Sequence, residues 1–151
     1  MYSPKQQKIT GYKVEIIGPD AGYGLNPLIN PAGNLSMKPR EFSSYIRLQL
    51  EGLQGKSTFL TQESFNAMNR DTGAVVNDES FTFGSWDGTM MGKYYNCIEG
   101  TDNTFYARGL IVPEEDFGLS IMMNCGCPQA VEYITLKLAK ARFGWWWMFW
   151  L

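Results

Sequence analysis

Apolar and polar positions along the first third of the chain predict one strand, one loop and one helix. Residues 8–17 are β-branched and partly alternating, which favours a strand. Glycine and proline recur from residue 18 to residue 38, so this stretch is predicted to be a long loop with a short edge strand at Leu28-Ile29. A helix is predicted to begin at Pro39, because proline is favoured at the first helical position.

The predicted helix from Pro39 has one apolar face. Its apolar residues recur at the spacing of three to four that places them on one side of a helix. They are Phe42, Tyr45, Ile46, Leu50 and Leu53. Gly52 and Gly55 are predicted to end the helix, since glycine is common just past a helix C-terminus.

After this helix the pattern predicts several strands separated by turns. The strands are residues 57–60, with a continuation to Phe65 left open, and residues 75–83, 91–98, 104–112 and 118–124. Residues 62–70 are also compatible with a helical turn. Asp87-Gly88, residues 100–103 and residues 114–116 supply turn residues between the later strands, so an antiparallel meander is predicted.

The last predicted element is a helix that begins at Cys127-Pro128. Its apolar stripe is predicted to consist of Val131, Ile134, Leu138 and Ala141, with Lys and Arg near its end, where they complement the helix dipole. Strand, helix, meander and helix in this order predict an α+β fold, an antiparallel β-sheet with helices packed on it. Residues 1–143 are predicted to form this single domain, and residues 144–151 an aromatic C-terminal tail.

Charge and composition narrow the classes of function. Thirteen basic and fifteen acidic residues leave a formal net charge of -2, so no positive field is available for nucleic acid. The sequence has no histidine, which excludes Ser-His-Asp and Cys-His catalysis and His-bearing zinc sites. No spacing singles out a pair among the fifteen acidic residues, so no catalytic residue and no cofactor site is predicted.

The remaining polar and sulfur-bearing residues predict no metal site. A zinc site needs four ligands, and the sequence has only Cys97, Cys125 and Cys127. Two interpretations of these cysteines stay open: small apolar core residues, or a Cys97–Cys125 disulfide in an oxidising compartment. Residues 114–116 are predicted to form a solvated turn, and Lys93 is predicted to expose its ammonium group on a strand.

The aromatic tail holds the candidate docking residues. They are Trp145, Trp146, Trp147, Phe149 and Trp150, which include four of the five tryptophans. As a helix this tail would rise roughly 10 Å, too little to cross a membrane alone. Tryptophan favours boundaries between apolar and wet phases, which supports docking to a partner protein or membrane interface. Two alternatives are a tail that folds back over its own sheet and the cut-off start of a transmembrane helix.

The order of elements resembles a known family. The stretches that carry the resemblance are residues 39–46, Gly92-Lys93-Tyr94-Tyr95, residues 104–110, Ser120-Ile121-Met122 and the closing helix to Phe143. Together they resemble the PsbP-like fold, which includes the extrinsic photosystem subunit P and the DcrB-like proteins, over roughly residues 39–143. The resemblance implies an α/β/α sandwich that stabilises a larger assembly without catalysis, and a location in the thylakoid lumen. The short stretch before the first helix and the aromatic tail depart from that family's pattern.

Three hypotheses for function follow. The leading one is a non-enzymatic accessory or assembly subunit that binds a larger protein complex, of a membrane or photosystem type, through its aromatic tail. The alternative is a helix-grip carrier, in which a curved antiparallel sheet wraps the C-terminal helix and encloses an apolar small molecule or lipid. A third is a small hydrolase or isomerase that uses carboxylates. No export signal is recognised at the N-terminus, so two interpretations stay open: the protein is not exported, or this is a mature chain. Without the family resemblance, a cytoplasmic location is expected.

Overall fold

The computed structural model describes residues 26–70, 72–76, 79–90, 92–102 and 104–144. The predicted strand at residues 8–17 and residues 145–151 of the aromatic tail lie outside these residues. The helices are α1 (Asn30–Gly33), α2 (Pro39–Leu53), α3 (Gln62–Asn69) and α4 (Pro128–Phe143). The strands are β1 (Ala74–Val76), β2 (Glu79–Phe81), β3 (Trp86–Met90), β4 (Lys93–Thr101), β5 (Tyr106–Val112) and β6 (Phe117–Met123).

The six strands form one open antiparallel sheet in the order β1-β2-β3-β4-β5-β6. Sequential strands are therefore neighbours throughout, which confirms the predicted meander and the α+β class. The chain groups into two compact units. One takes in Ser36–Gly100 and Ala107–Met122, and so holds α2, α3 and nearly the whole sheet. The other includes α1 and α4.

Helix α2 is confirmed with the predicted start at Pro39. Its first turn is closed by the Glu41 carboxylate, which accepts a hydrogen bond of 2.8 Å from the backbone N–H of Lys38. Four of the five predicted core residues are buried, namely Phe42, Ile46, Leu50 and Leu53. The fifth, Tyr45, is 39% exposed, so that prediction was wrong.

Two glycines set how closely α2 approaches its neighbours. Gly52 lies inside the helix rather than ending it, and a Cβ there would collide with the ring of Phe65 on α3. On β5, a Cβ at Gly109 would collide with Ile46 and come within 3.4 Å of Phe42 Cζ. The core that results joins the apolar face of α2 to Ile111 of the sheet.

The segment after α2 differs from the prediction of a strand. Residues 57–60 form bends without regular structure, and Phe59 is 71% exposed. Residues 62–69 form α3, the helical alternative. The hydroxyl of Thr61 accepts a hydrogen bond of 3.2 Å from the backbone N–H of Ser64, which caps the helix.

Strand β3 corrects the predicted turn at Asp87-Gly88. Both residues lie within the strand, with Asp87 opposite Asn96 and Gly88 opposite Tyr95 on β4. A Cβ at Gly88 would sit only 3.0 Å from the hydroxyl oxygen of Tyr95, so the tyrosine side chain fills the space above the glycine. The actual turn is Thr82–Ser85, where the backbone N–H of Thr82 donates to the carbonyl of Ser85 at 2.8 Å.

The predicted strand at residues 75–83 is instead two short paired strands, β1 and β2, with Ala74 opposite Phe81 and Val76 opposite Glu79. The short edge strand predicted at Leu28-Ile29 is also absent. Pro27–Ile29 forms a 3₁₀ turn, stabilised by a 3.0 Å hydrogen bond from the backbone N–H of Leu28 to Oδ1 of Asn26. Helix α1 follows directly.

Helix α4 begins and ends as predicted, but a different stripe is buried. Its buried residues are Val131, Thr135 and Ala139, at a spacing of four. Leu138 of the predicted stripe is 43% exposed. Thr135 enters the buried stripe because its hydroxyl donates to the carbonyl of Val131 at 2.8 Å, so its polar group is satisfied within the helix.

Candidate functional site

The sheet face that α2 and α3 cover changes from apolar to polar along its width. Near β5 it packs the α2 core. At β2, β3 and β4 the residues that share this face are polar, because Ser80 is opposite Asp87, Asp87 is opposite Asn96 and Thr89 is opposite Tyr94. Strand register therefore gathers polar side chains from three strands beneath the end of α3.

An open cleft of about 310 Å³ lies at this polar end, and we call it the polar cleft. Its lining residues are Arg70, Ser80, Asp87, Gly88, Thr89 and Tyr94. All of them belong to the unit that contains the sheet. A cation, a carboxylate and two aliphatic hydroxyls therefore meet in one cleft.

Arg70 stands just past the end of α3, and its guanidinium is held in place by two neighbours. Its Nε donates to Oδ1 of Asn66 at 2.8 Å, one helical turn earlier. Its Cζ lies 4.3 Å from the ring centroid of Tyr94, within the range of a cation–π interaction. Within the described part of the chain, no acceptor binds the two terminal NH₂ groups of the guanidinium.

Asp87 supplies the opposite charge from the middle of β3. The residue is only 6% exposed, and one carboxylate oxygen accepts a hydrogen bond of 2.6 Å from the hydroxyl of Ser80. No other described side chain or backbone group donates to this carboxylate. A buried carboxylate with a single donor is short of the partners that normally compensate its desolvation.

Tyr94 lies close to both charges. Its hydroxyl donates to the backbone carbonyl of Asn69 at the end of α3. Burial raises the pKa of Tyr94 to about 12, a hydrogen bond with Asn96 lowers it, and the nearby charges of Asp87 and Arg70 act in opposite directions. The phenol therefore stays neutral at physiological pH and acts here as a donor and as a platform for Arg70.

A buried hydrogen-bond network holds α3 over the cleft. Asn69 Nδ2 donates to Gln49 Oε1 on α2 at 2.9 Å, and Asn96 Nδ2 donates to the Asn69 carbonyl at 3.1 Å. Asn96 Nδ2 also donates to Ser85 Oγ at 2.7 Å. Among the described residues, Asn96 Oδ1 is the buried side-chain atom left without a hydrogen-bond partner. The network therefore ties α2, α3, β4 and the β2–β3 turn together.

None of the candidate residues predicted from sequence is among the residues that line the polar cleft. The docking candidates Trp145, Trp146, Trp147, Phe149 and Trp150 are outside the described residues. Lys93 forms an ion pair with Glu115 rather than exposing a solitary ammonium group. The acidic turn is likewise held to α2, since Gln54 Nε2 donates to both the Pro113 carbonyl and the Asp116 carboxylate at 2.9 Å.

The three cysteines are present as thiols, with Cys127 buried and the other two half-buried. In the described ranges, no group of three or more Cys, Asp or Glu side chains is placed to hold a metal ion. No helix among these residues has both the length and the apolar character to cross a membrane.

Sequence reasoning missed the polar cleft because its residues come from α3, β2, β3 and β4 and form no motif. One signal was available in the alternation of β4. Tyr94, Asn96 and Ile98 share a face, so an amide sits between two apolar positions that point inward. A buried asparagine of this kind indicates a polar network beneath the neighbouring element.

Comparisons with known proteins show a likeness of fold. No family model matches the chain, and no curated protein matches it. Among solved structures, it is similar to an octameric penicillin-binding protein homologue from Pyrococcus abyssi, with a TM-score of 0.51 and 16% sequence identity. The alignment covers 66% of this chain and 24% of that one, so the chain spans about a quarter of the other protein's length.

Proposed function

We propose that this chain, which shares its fold with part of a penicillin-binding protein homologue, binds a penicillin-type ligand and does not carry out a covalent step. The observation that carries the proposal is the likeness of fold to the penicillin-binding protein homologue over two thirds of the chain. One fold hosts many activities, so we propose a class of ligand and a role in binding only.

The sequence supports the non-covalent part of the proposal. Penicillin-binding proteins acylate a serine in an S-x-x-K motif, supported by S-D-N and K-T-G motifs. None of these three motifs occurs in the 151 residues. The sequence also has no histidine, the side chain that most often activates a serine as a base.

A fluorescent penicillin tests both parts of the proposal. We expect fluorescence anisotropy to rise on mixing with the protein and to fall when unlabelled benzylpenicillin competes. We also expect that no label survives denaturing electrophoresis. The control ligand is ring-opened penicilloate, which keeps the carboxylate and side chain but has lost the β-lactam ring, and it should compete less well.

Either of two outcomes would overturn the proposal. A label that survives denaturation would show a nucleophile within the chain. Absence of competable binding to folded protein would remove penicillin-type ligands as a class.

Two functions predicted from sequence stay predictions. The accessory subunit that docks through its aromatic tail is tested by deleting residues 145–151, which should abolish association with a partner complex or membrane while preserving the fold. The helix-grip carrier of an apolar molecule would require an apolar cavity.

A further inference from the structure

The polar cleft holds two opposite charges that do not neutralise each other. Arg70 and Asp87 both line it, yet they form no ion pair. Each is held instead by a different neutral group, Arg70 by Asn66 and Asp87 by Ser80. A cation and an anion fixed on one cleft without contact present a dipolar surface to whatever enters.

The two charged groups have capacity left for a ligand. The terminal NH₂ groups of Arg70 have no acceptor among the described residues, and the guanidinium carbon lies 4.3 Å from the centre of the Tyr94 ring, which holds the group over that ring. A planar guanidinium with both terminal groups available binds a carboxylate through two parallel hydrogen bonds. The Asp87 carboxylate has one donor, Ser80, and accepts further donors through its remaining lone pairs.

We propose that the polar cleft binds a small zwitterion of the amino acid or short peptide type. Arg70 takes the ligand's carboxylate, and Asp87 takes its ammonium group. The volume of about 310 Å³ lies at the lower end of the range for small-molecule sites, so it fits a dipeptide rather than a long chain. Thr89 adds a hydroxyl on the cleft wall. This site does not depend on penicillin binding.

Glycylglycine is the probe, because it is achiral and carries both charges with no side chain. Two blocked relatives separate the contacts: glycylglycinamide lacks the carboxylate, and N-acetylglycylglycine lacks the ammonium group. Calorimetric titration of the full chain should show glycylglycine binding about tenfold or more tighter than either relative, the loss expected for one charged hydrogen-bonded contact.

Substitutions then assign each contact to a residue. Arg70→Gln should weaken glycylglycine about tenfold and leave glycylglycinamide unchanged, since that ligand has no carboxylate to lose. Asp87→Asn keeps an oxygen to accept from Ser80, and should weaken glycylglycine while leaving N-acetylglycylglycine unchanged. Arg47→Gln is the matched control, because its side chain is 74% exposed and pairs with Glu51 away from the cleft.

Several results would overturn the proposal. One is the absence of saturable heat when glycylglycine is titrated into folded wild-type protein, and another is binding of the blocked relatives as tight as that of the parent. Equal effects of Arg47→Gln and Arg70→Gln would indicate general charge attraction rather than a site. Circular dichroism confirms that each variant folds, and if Asp87→Asn does not fold, the comparison with N-acetylglycylglycine still tests the ammonium contact on the wild-type chain.

Discussion

Replacing Asn69 with leucine isolates the hydrogen bond that joins α3 to α2. The Asn69 side chain is 5% exposed and donates to Gln49 Oε1 at 2.9 Å and to the Phe65 carbonyl at 3.0 Å. Leucine has a similar size and keeps the backbone carbonyl that binds Tyr94 and Asn96. The substitution therefore removes the side-chain donor without removing the contacts to β4.

Asn69→Leu lowers the free energy of unfolding because it leaves the amide oxygen of Gln49 without its donor. Gln49 is 7% exposed, so its amide oxygen loses its protein donor in a place that water hardly reaches. A buried acceptor without a partner costs about 1–3 kcal/mol, so we expect Asn69→Leu to lower the free energy of unfolding by about 2 kcal/mol. For a chain of this length that corresponds to a fall of about 4–8 °C in Tm.

Urea unfolding followed by far-UV circular dichroism measures the change, and a double-mutant cycle tests its cause. Replacing both partners with apolar groups removes the orphaned acceptor, so Gln49→Leu combined with Asn69→Leu should be more stable than the sum of the single variants predicts. Asn124→Leu is the control, because Asn124 is exposed and makes no side-chain hydrogen bond among the described residues. It should change stability by less than about 0.5 kcal/mol.

Two results would refute this reasoning. One is an Asn69→Leu variant within about 0.5 kcal/mol of the wild type, the range usual for surface substitutions. The other is strict additivity of the two leucine substitutions, which would show that Gln49 and Asn69 are not coupled.

Three further predictions concern packing and titration. Gly109→Ala should lower the free energy of unfolding by about 1–3 kcal/mol, because its Cβ overpacks against Ile46. The loss should be smaller in an Ile46→Val background, which lacks the colliding Cδ1. Gly100→Ala, where nothing lies within 4 Å of the added Cβ, should leave the free energy of unfolding nearly unchanged in the same urea assay. Burial raises the pKa of Tyr94 from 10.0 to about 12. Its neutral phenol therefore stabilises the fold fully below pH 10, and this stabilisation is lost as the pH rises to about 12. Tyr94→Phe should lose less stability than the wild type between pH 10 and pH 12. Burial raises the pKa of Asp102, but hydrogen bonds from Thr104 and Phe105 lower it more, to below 3.8. The ionised carboxylate therefore stabilises the fold above pH 3.8, and this stabilisation is lost at lower pH. Asp102→Asn should reduce the fall in stability at acidic pH, and an unchanged fall would contradict this.

The elements predicted correctly are those whose signal is local. Helix α2 begins at Pro39 because the proline, Glu41 and the apolar spacing all act within a few residues of one another. Strands β5 and β6 combine apolar residues with a turn at Pro113–Glu115. Neighbouring strands in sequence are then neighbours in space, so the meander follows without long-range information.

The wrong predictions fall at positions where a contact with a residue distant in sequence decides the local conformation. Asp87-Gly88 has the composition of a turn, but Tyr95 on the next strand covers Gly88 and makes it a strand position. Gly52 looks like a helix terminator, yet it is the place where Phe65 packs against α2. Neither partner is recognisable from the local sequence.

The polar cleft was unpredictable for the same reason. Arg70, Asp87 and Tyr94 are ordinary residues on separate elements, and only the register of β3 against β4 and the end of α3 bring them together. The inward position of Asn96 indicated that something polar was buried, but not what lay above it.

The register of β3 also constrains how the length of this chain can vary. Trp86 and Asp87 are adjacent, and they point to opposite faces of the sheet: Trp86 stacks edge-on against Phe81, while Asp87 faces the polar cleft. A single residue inserted in the Thr82–Ser85 turn and absorbed by sliding β3 would exchange the two faces, placing an indole where the carboxylate belongs. A two-residue insertion would keep each side chain on its original face of the sheet. Insertions or deletions between β2 and β3 should therefore be tolerated when they change the length by an even number of residues. Divergent sequences that retain the charged cleft can be recognised by turns that differ from this one by an even number of residues.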